Sequence, residues 1–416
     1  MSNHTIHNTS KRVNLYFTIF VFLFSPILSV IFSVGRWREV WAKNIVWLFC
    51  SFYAYKFIIG NEGSDINRYK ARFETNTFSK LELFEFLKIK ISSGAVDFFE
   101  PLFSFIVASF TDNFNYYLLI IGSIFGFFYS RNIWSILKNC KNNFSFLSWL
   151  SLLVFSLIYS IWDINVLRFS LAAHIFYFGF SRLFFDKNKL GWIYLIIAPL
   201  IHFSFYIPII IWILYLVFGN KHKIYFILFI ISIVSSDIVF KNLGSNLNIV
   251  PSAFEEKASD YTGNEFIEKK KKITLEKNFR GKYYQDSLKY AVFILLIYFY
   301  IKFKNGDINS LGVYYEWFSF ILLYFAIINL FQGIPTMNRF LFLGYLFAFA
   351  LFAKLFTRKF IFYKNMELKI IIIPLIVFYL LMKLRVGIEF TNILVIFGGP
   401  FLSPFFEDEI LLIELL

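Results

Sequence analysis

Long apolar runs alternate with short, polar and mostly basic stretches along the whole chain. Runs of spanning length lie at about 13–34, 41–59, 115–137, 144–161, 166–185, 223–241, 287–303, 311–332, 338–356 and 367–382. About 20 apolar residues in a helix match the hydrocarbon thickness of a bilayer. Three segments break the pattern. Residues 101–110 are apolar but short, which predicts a re-entrant or interfacial helix. Residues 190–218 exceed one untilted span and carry Pro199 and Pro208 around His202, which predicts two short helices meeting near that histidine. Residues 388–406 are weakly apolar and interrupted by Gly398-Gly399-Pro400 and Pro404. The pattern predicts an all-α, polytopic integral membrane protein with roughly 11–13 transmembrane or re-entrant helices. It forms one transmembrane domain over residues 1–416, with hydrophilic loops at 60–97 and 242–286 and no internal repeat.

Composition agrees: 58% of the 416 residues are hydrophobic and 16% charged, more apolar surface than a soluble domain of this length could hide. The 60 phenylalanines, together with abundant Ile, Lys and Asn, also point to an AT-rich gene. Cys50 and Cys140 form no C-x-x-C pair or disulfide framework. The net charge of +14 is not a nucleic-acid signal, because its lysines and arginines collect between apolar runs as topology determinants do. The run at 13–34 lacks a small-x-small cleavage site and reads as a retained span. Basic residues at 36–43, 131–141, 182–189, 221–223, 302–304 and 358–369 can all face the cytoplasm if 101–110 does not span and 190–218 is a hairpin. Lys11-Arg12 then falls outside, which leaves the drawing of the first span in question. This orientation places both long loops, Arg168, His202, Arg339 and the segment around Asp65 on the external side.

Several of those residues could carry chemistry. An arginine at the hydrocarbon edge is costly to keep without a partner or a task. Arg168 follows Asp163-Ile164-Asn165 and Arg339 follows Gly333-Ile334-Pro335-Thr336-Met337-Asn338, each opening an apolar run. With Asp163 or Asn165, and Thr336 or Asn338, as N-caps, both would sit in the first turn of a helix, where free N–H groups and the dipole favour anions. Together they suit a lipid-linked pyrophosphate, which guanidinium groups bind bidentately. The plainer reading pairs Arg168 with Asp163, or lets both arginines snorkel to headgroups. His202 could be a general base, a hydrogen-bond donor or a satisfied structural residue; His174 lies deeper and is the weaker choice. The segment Gly60–Tyr69 gathers Glu62, Asp65, Arg68 and Tyr69, either as bases and substrate contacts or as a solvated turn. Glu100 opens the short helix at 101–110 as a further carboxylate. Lys269–Lys272 reads as a solvated helix or a headgroup contact, and Tyr283-Tyr284 as an interfacial belt or a sugar-stacking pair. No Walker A, G-x-G-x-x-G, H-E-x-x-H or G-x-S-x-G motif is present, so ATP-driven transport and zincin or serine-hydrolase chemistry have no support.

Taken in order, Gly63-Ser64-Asp65-Ile66-Asn67-Arg68-Tyr69 with Phe73, Asn165–Ala172, Leu200–Ser204 and Asn338-Arg339-Phe340 resemble the EpsG-type branch of the Wzy O-antigen and polysaccharide polymerases. The match spans most of the chain through short motifs. It departs where family members often carry glutamine in the R-x-x-x-A segment and this chain has Phe169-Ser170. The resemblance implies a bacterial inner-membrane enzyme working at the periplasmic face. It would transfer the growing undecaprenyl-pyrophosphate-linked glycan onto a new lipid-linked repeat unit, without metal or cofactor and with a chain-length regulator as a further partner. On this reading Arg168, Arg339 and Arg68 hold the pyrophosphate, His202 and Asp65 are the catalytic candidates, and Tyr69, Glu62 and Glu100 contact acceptor or sugar. Another polyprenol-dependent glycosyltransferase of the GT-C type, an O-antigen ligase and a lipid-linked oligosaccharide flippase remain as alternatives. A flippase should show repeated halves and deep charges, which this sequence lacks.

Overall fold

A computed structural model of the chain describes residues 2–59, 65–78, 82–92, 99–140, 144–243, 279–304, 312–332, 337–357, 366–406 and 410–415. These form 17 α-helices, and no β-strand occurs among them. In chain order they are α1 (Ser2–Phe24), α2 (Pro26–Gly35), α3 (Ala42–Tyr55), α4 (Asp65–Phe78), α5 (Leu83–Ser92) and α6 (Phe99–Ala108). Next come α7 (Phe114–Asn139), α8 (Phe146–Ile158), α9 (Leu167–Phe184), α10 (Gly191–Ile201), α11 (Tyr206–Phe218) and α12 (His222–Leu243). The last are α13 (Phe279–Lys304), α14 (Val313–Leu330), α15 (Asn338–Leu355), α16 (Met366–Ile388) and the single turn α17 (Gly399–Leu402).

Four stretches, Phe146–Asp163, Val313–Leu330, Asn338–Leu355 and Glu367–Ile388, are long and apolar enough to cross a bilayer, and shorter apolar helices accompany them. The protein is an all-α, polytopic membrane protein. Helices α14 and α15 are its centre, buried along nearly their whole length. Phe180 of α9, Phe320 of α14 and Phe347 of α15 pack in tilted and edge-to-face contacts with ring centroids 4.8 to 5.6 Å apart, and the ring of Trp212 on α11 closes the knot at 5.1 Å from Phe180. Many of the phenylalanines are therefore helix-packing groups. Helices α3 and α7 approach through Gly122 and Gly126, where a Cβ would strike Ala54 or Cys50; small residues four apart let two helix backbones close up.

Predicted elements and observed ones match closely. Helix α6, at 10 residues, rises about 15 Å and is too short to cross. Helices α10 and α11 form the expected hairpin, joined at His202 and the turn Phe203–Phe205. Two differences stand out. The run at 13–34 is not one span: Pro26 has no N–H to continue the ladder, and the chain breaks at Ser25 into α1 and α2. The loop predicted at 60–97 contains two helices, α4 and α5, because α4 carries its own apolar stripe of Ile66, Tyr69 and Phe73, each at most 5% exposed. Most of the loop predicted at 242–286, including Lys269–Lys272, lies outside the described residues.

A candidate anion-binding site

Helices α9 and α15 both begin at one end of the bundle, and each puts an arginine in its second position, Arg168 and Arg339. That is the first helical turn, as expected, where unpaired N–H groups give the helix end a partial positive charge. The capping groups differ from expectation. Asp163 caps neither helix: its Oδ2 accepts from the backbone N–H and the hydroxyl of Ser160, both at 2.8 Å. Nor does it pair with Arg168, because Lys383 of α16 donates to both its oxygens at 2.7 and 2.9 Å. Helix α15 has Met337 at its N-cap with no side-chain cap, and Asn338 is already its first helical residue. Thr336 and the side chain of Asn165 lie outside the described residues.

The ring of Phe169 is the pivot of this end. His202 meets it edge-on at 5.2 Å, Phe340 at 5.3 Å and Phe205 at 5.0 Å. The guanidinium of Arg339 lies over its face at 5.9 Å. Among the described residues that guanidinium makes no hydrogen bond and no ion pair. The backbone carbonyl of Arg339 accepts from the hydroxyl of Tyr159 at 2.6 Å, which fixes the start of α15 against α8. Nε of Arg168, the residue before Phe169, donates to the hydroxyl of Tyr69 at 3.0 Å, with the cation 5.6 Å from the tyrosine ring centre. The structure thus brings Arg168, Arg339, His202 and Tyr69 together from α9, α15, the α10–α11 turn and α4.

His202 engages Ser204: its Nδ1 lies 2.7 Å from the serine hydroxyl. If Ser204 accepts, Nδ1 carries the proton and Nε2 is the basic nitrogen; if Ser204 donates, the roles reverse. His174 is structural. It is fully buried, its Nε2 lies 3.0 Å from the carbonyl of Tyr159 and must donate to it, and Asn132 donates to its backbone carbonyl.

The remaining candidates are placed less centrally. Arg68 and Asp65 pair with each other on the exposed face of α4, the arginine 72% exposed. Glu62 lies outside the described residues. Glu100 is fully buried at the start of α6 and pairs with Arg72 of α4. Arg72 is the residue the sequence reading missed. It falls three positions after Tyr69, on the same side of α4, so the apolar spacing of Ile66, Tyr69 and Phe73 marked it once the segment was read as a helix. Burial, and then the like charge of Arg168, pull its guanidinium below the usual arginine range. Burial raises the Tyr69 hydroxyl while Arg168 opposes that rise. Among the described residues no cluster of three His, Cys, Asp or Glu could hold a metal ion.

Arginines in the first turns of two helices at one end of the bundle, an aromatic wall and a nearby imidazole suit a bulky anion attached to an apolar tail. The model of the EpsG family matches residues 45–394. The chain belongs to the EpsG family. No curated protein and no solved structure matches it. The matched span of this EpsG-family member runs from α3 to the turn after α16, so it contains every site residue above and leaves out α1, α2 and α17.

Proposed function

We propose that this EpsG-family protein is a polysaccharide polymerase of the bacterial inner membrane, working at the periplasmic face on undecaprenyl-pyrophosphate-linked repeat units. The observation that carries the reading is that Arg168 and Arg339 each open a helix at the same end of the bundle, with Arg339 over the ring of Phe169 and without an anionic partner among the described residues. The bond between the anomeric carbon of the growing glycan and its pyrophosphate oxygen breaks. A bond forms from that carbon to a hydroxyl oxygen at the non-reducing end of the incoming unit. Negative charge grows on the departing undecaprenyl pyrophosphate, and cations already in place there stabilise the transition state. The hydroxyl proton passes to His202 through Nε2, with Nδ1–H held by Ser204. Asp65 is occupied by Arg68 on the surface and is the second choice as base.

Purified protein supplied with lipid-linked repeat units should release undecaprenyl pyrophosphate and build a ladder. Arg168→Lys and Arg339→Lys should each cut the rate by about 100-fold or more, because an ammonium cannot reproduce the bidentate grip. Full activity in both variants would reduce the arginines to headgroup anchors. In cells lacking the protein, single-unit caps are expected; bare lipid core would favour a ligase or a flippase instead.

A further inference from the structure

Near Arg168 lies a group that the proposed reaction has not used. Tyr117, in the first turn of α7, is fully buried, and its hydroxyl has no hydrogen-bond partner among the described residues. Its ring is wedged against Phe73, Phe103 and Phe114, at centroid distances of 5.1 to 5.7 Å. Phe73, against which this ring packs, is the residue after Arg72 on α4, where Tyr69 also holds Arg168, and both arginines lie within electrostatic reach of the hydroxyl. Leaving a buried hydroxyl unmatched is costly, and phenylalanine would fill the same space without that cost. A donor kept in such a place, beside two guanidinium groups, has the chemistry of an anion site awaiting its acceptor.

Arg72 supports the same assignment. Its guanidinium is two-fifths exposed, yet it is anchored by the fully buried Glu100, so the carboxylate steers it without facing solvent. A second tie, from the amide of Asn76 to the hydroxyl of Ser104 at 3.1 Å, fixes α4 on α6 one turn further along. Tyr69 stands one turn before Arg72 and accepts a hydrogen bond from Arg168. Glu100 offsets one of the two cationic charges, and each guanidinium has its own anchor, Arg72 on Glu100 and Arg168 on Tyr69.

We propose that Arg72, Arg168 and the hydroxyl of Tyr117 form a phosphate-binding subsite, with Glu100 and Tyr69 positioning the two arginines, for the diphosphate of a polyprenyl-linked substrate. This rests on the polymerase reading for its ligand and extends it to two residues, Arg72 and Tyr117. The same chemistry would accept a phospholipid headgroup, and the experiment separates the two.

Binding of polyprenyl diphosphate and, separately, of phosphatidylglycerol is measured on the full-length protein in nanodiscs made of neutral lipid. Tyr117→Phe should weaken polyprenyl diphosphate about tenfold or more, the size of a lost hydrogen bond to a charged group. Its thermal midpoint should hold or rise, because an unmatched hydroxyl has gone. Arg72→Lys keeps a cation beside Glu100 and should weaken the same ligand by a similar factor. Wild-type affinity in both variants would overturn the subsite. A loss confined to phosphatidylglycerol would also overturn it, making the cluster a contact for bulk lipid. A protein that binds polyprenyl diphosphate through Tyr117 but builds no polymer from repeat units would keep the subsite and overturn the polymerase reading.

Discussion

At the scale of single residues, the proposed proton transfer depends on which nitrogen of His202 is basic. Nδ1 and the Ser204 hydroxyl share one proton position, 2.7 Å apart. With Ser204 accepting, Nε2 can take a proton from the acceptor sugar. Ser204→Ala then removes the hydrogen bond that fixes the tautomer, so polymerisation should fall about tenfold or more with protein level unchanged. His202→Gln retains a hydrogen-bond donor but no base and should fail as badly as His202→Ala. Strong activity in the glutamine variant, measured on purified lipid-linked units, would return the histidine to a binding role. Arg168, Arg339 and His202 were legible in the sequence because charges inside apolar runs are conspicuous. Arg72 was not: it sits in a polar segment where an arginine needs no explanation, and its place beside Tyr69 shows only once that segment is read as a helix. Arg68 was chosen for its place in the motif, yet it faces solvent.

At the scale of helices, the turn at 160–166 that delivers Arg168 is clamped from α16. Lys383 holds Asp163 with both partners at most one-fifth exposed. One turn on, Gly387 leaves room for the ring of Trp162, whose atoms would lie 2.9 Å from any Cβ there. Lys383→Met leaves a mostly buried carboxylate without its cation, which should cost about 3 kcal/mol or more in stability and lower the thermal midpoint. Adding Asp163→Asn should recover much of that loss, because the unpaired charge goes with it. A single variant as stable as wild type would show that the pair contributes nothing to the turn. No sequence pattern links positions 163 and 383, since the contact depends on how α8, α9 and α16 pack. The four long spans, at 146–163, 313–330, 338–355 and 367–388, were legible, because hydrocarbon thickness sets their length. The break at Ser25-Pro26 was hidden inside an apolar run whose proline could as well have been tolerated as a kink.

At the scale of the molecule, the arginine end and its opposite differ in character. The far end holds Lys354, buried 3.8 Å over the ring of Phe185 and 5.0 Å from Trp317, below the basic connections that predict the cytoplasmic side. With Cys50 and Cys140 both buried, engineered thiols should report orientation with little background. In intact spheroplasts a membrane-impermeant thiol reagent should label Thr75→Cys and leave Lys187→Cys unreacted; the reverse pattern would invert the protein and remove the proposed periplasmic site. Segments far apart in sequence meet in this same architecture. The N–H of Gly398 donates to the carbonyl of Phe24 at 2.6 Å, and the hydroxyl of Ser25 donates to the carbonyl of Ile396 at 2.6 Å. Gly399 packs so closely that a Cβ would lie 2.6 Å from the carbonyl of Leu23. The break between the first two helices therefore waits for residues made some 370 positions later. Because a chain is made from its N-terminal side, the kink at Ser25 stays unstitched until residues 396–399 exist, so no nascent chain shorter than that can carry the seam.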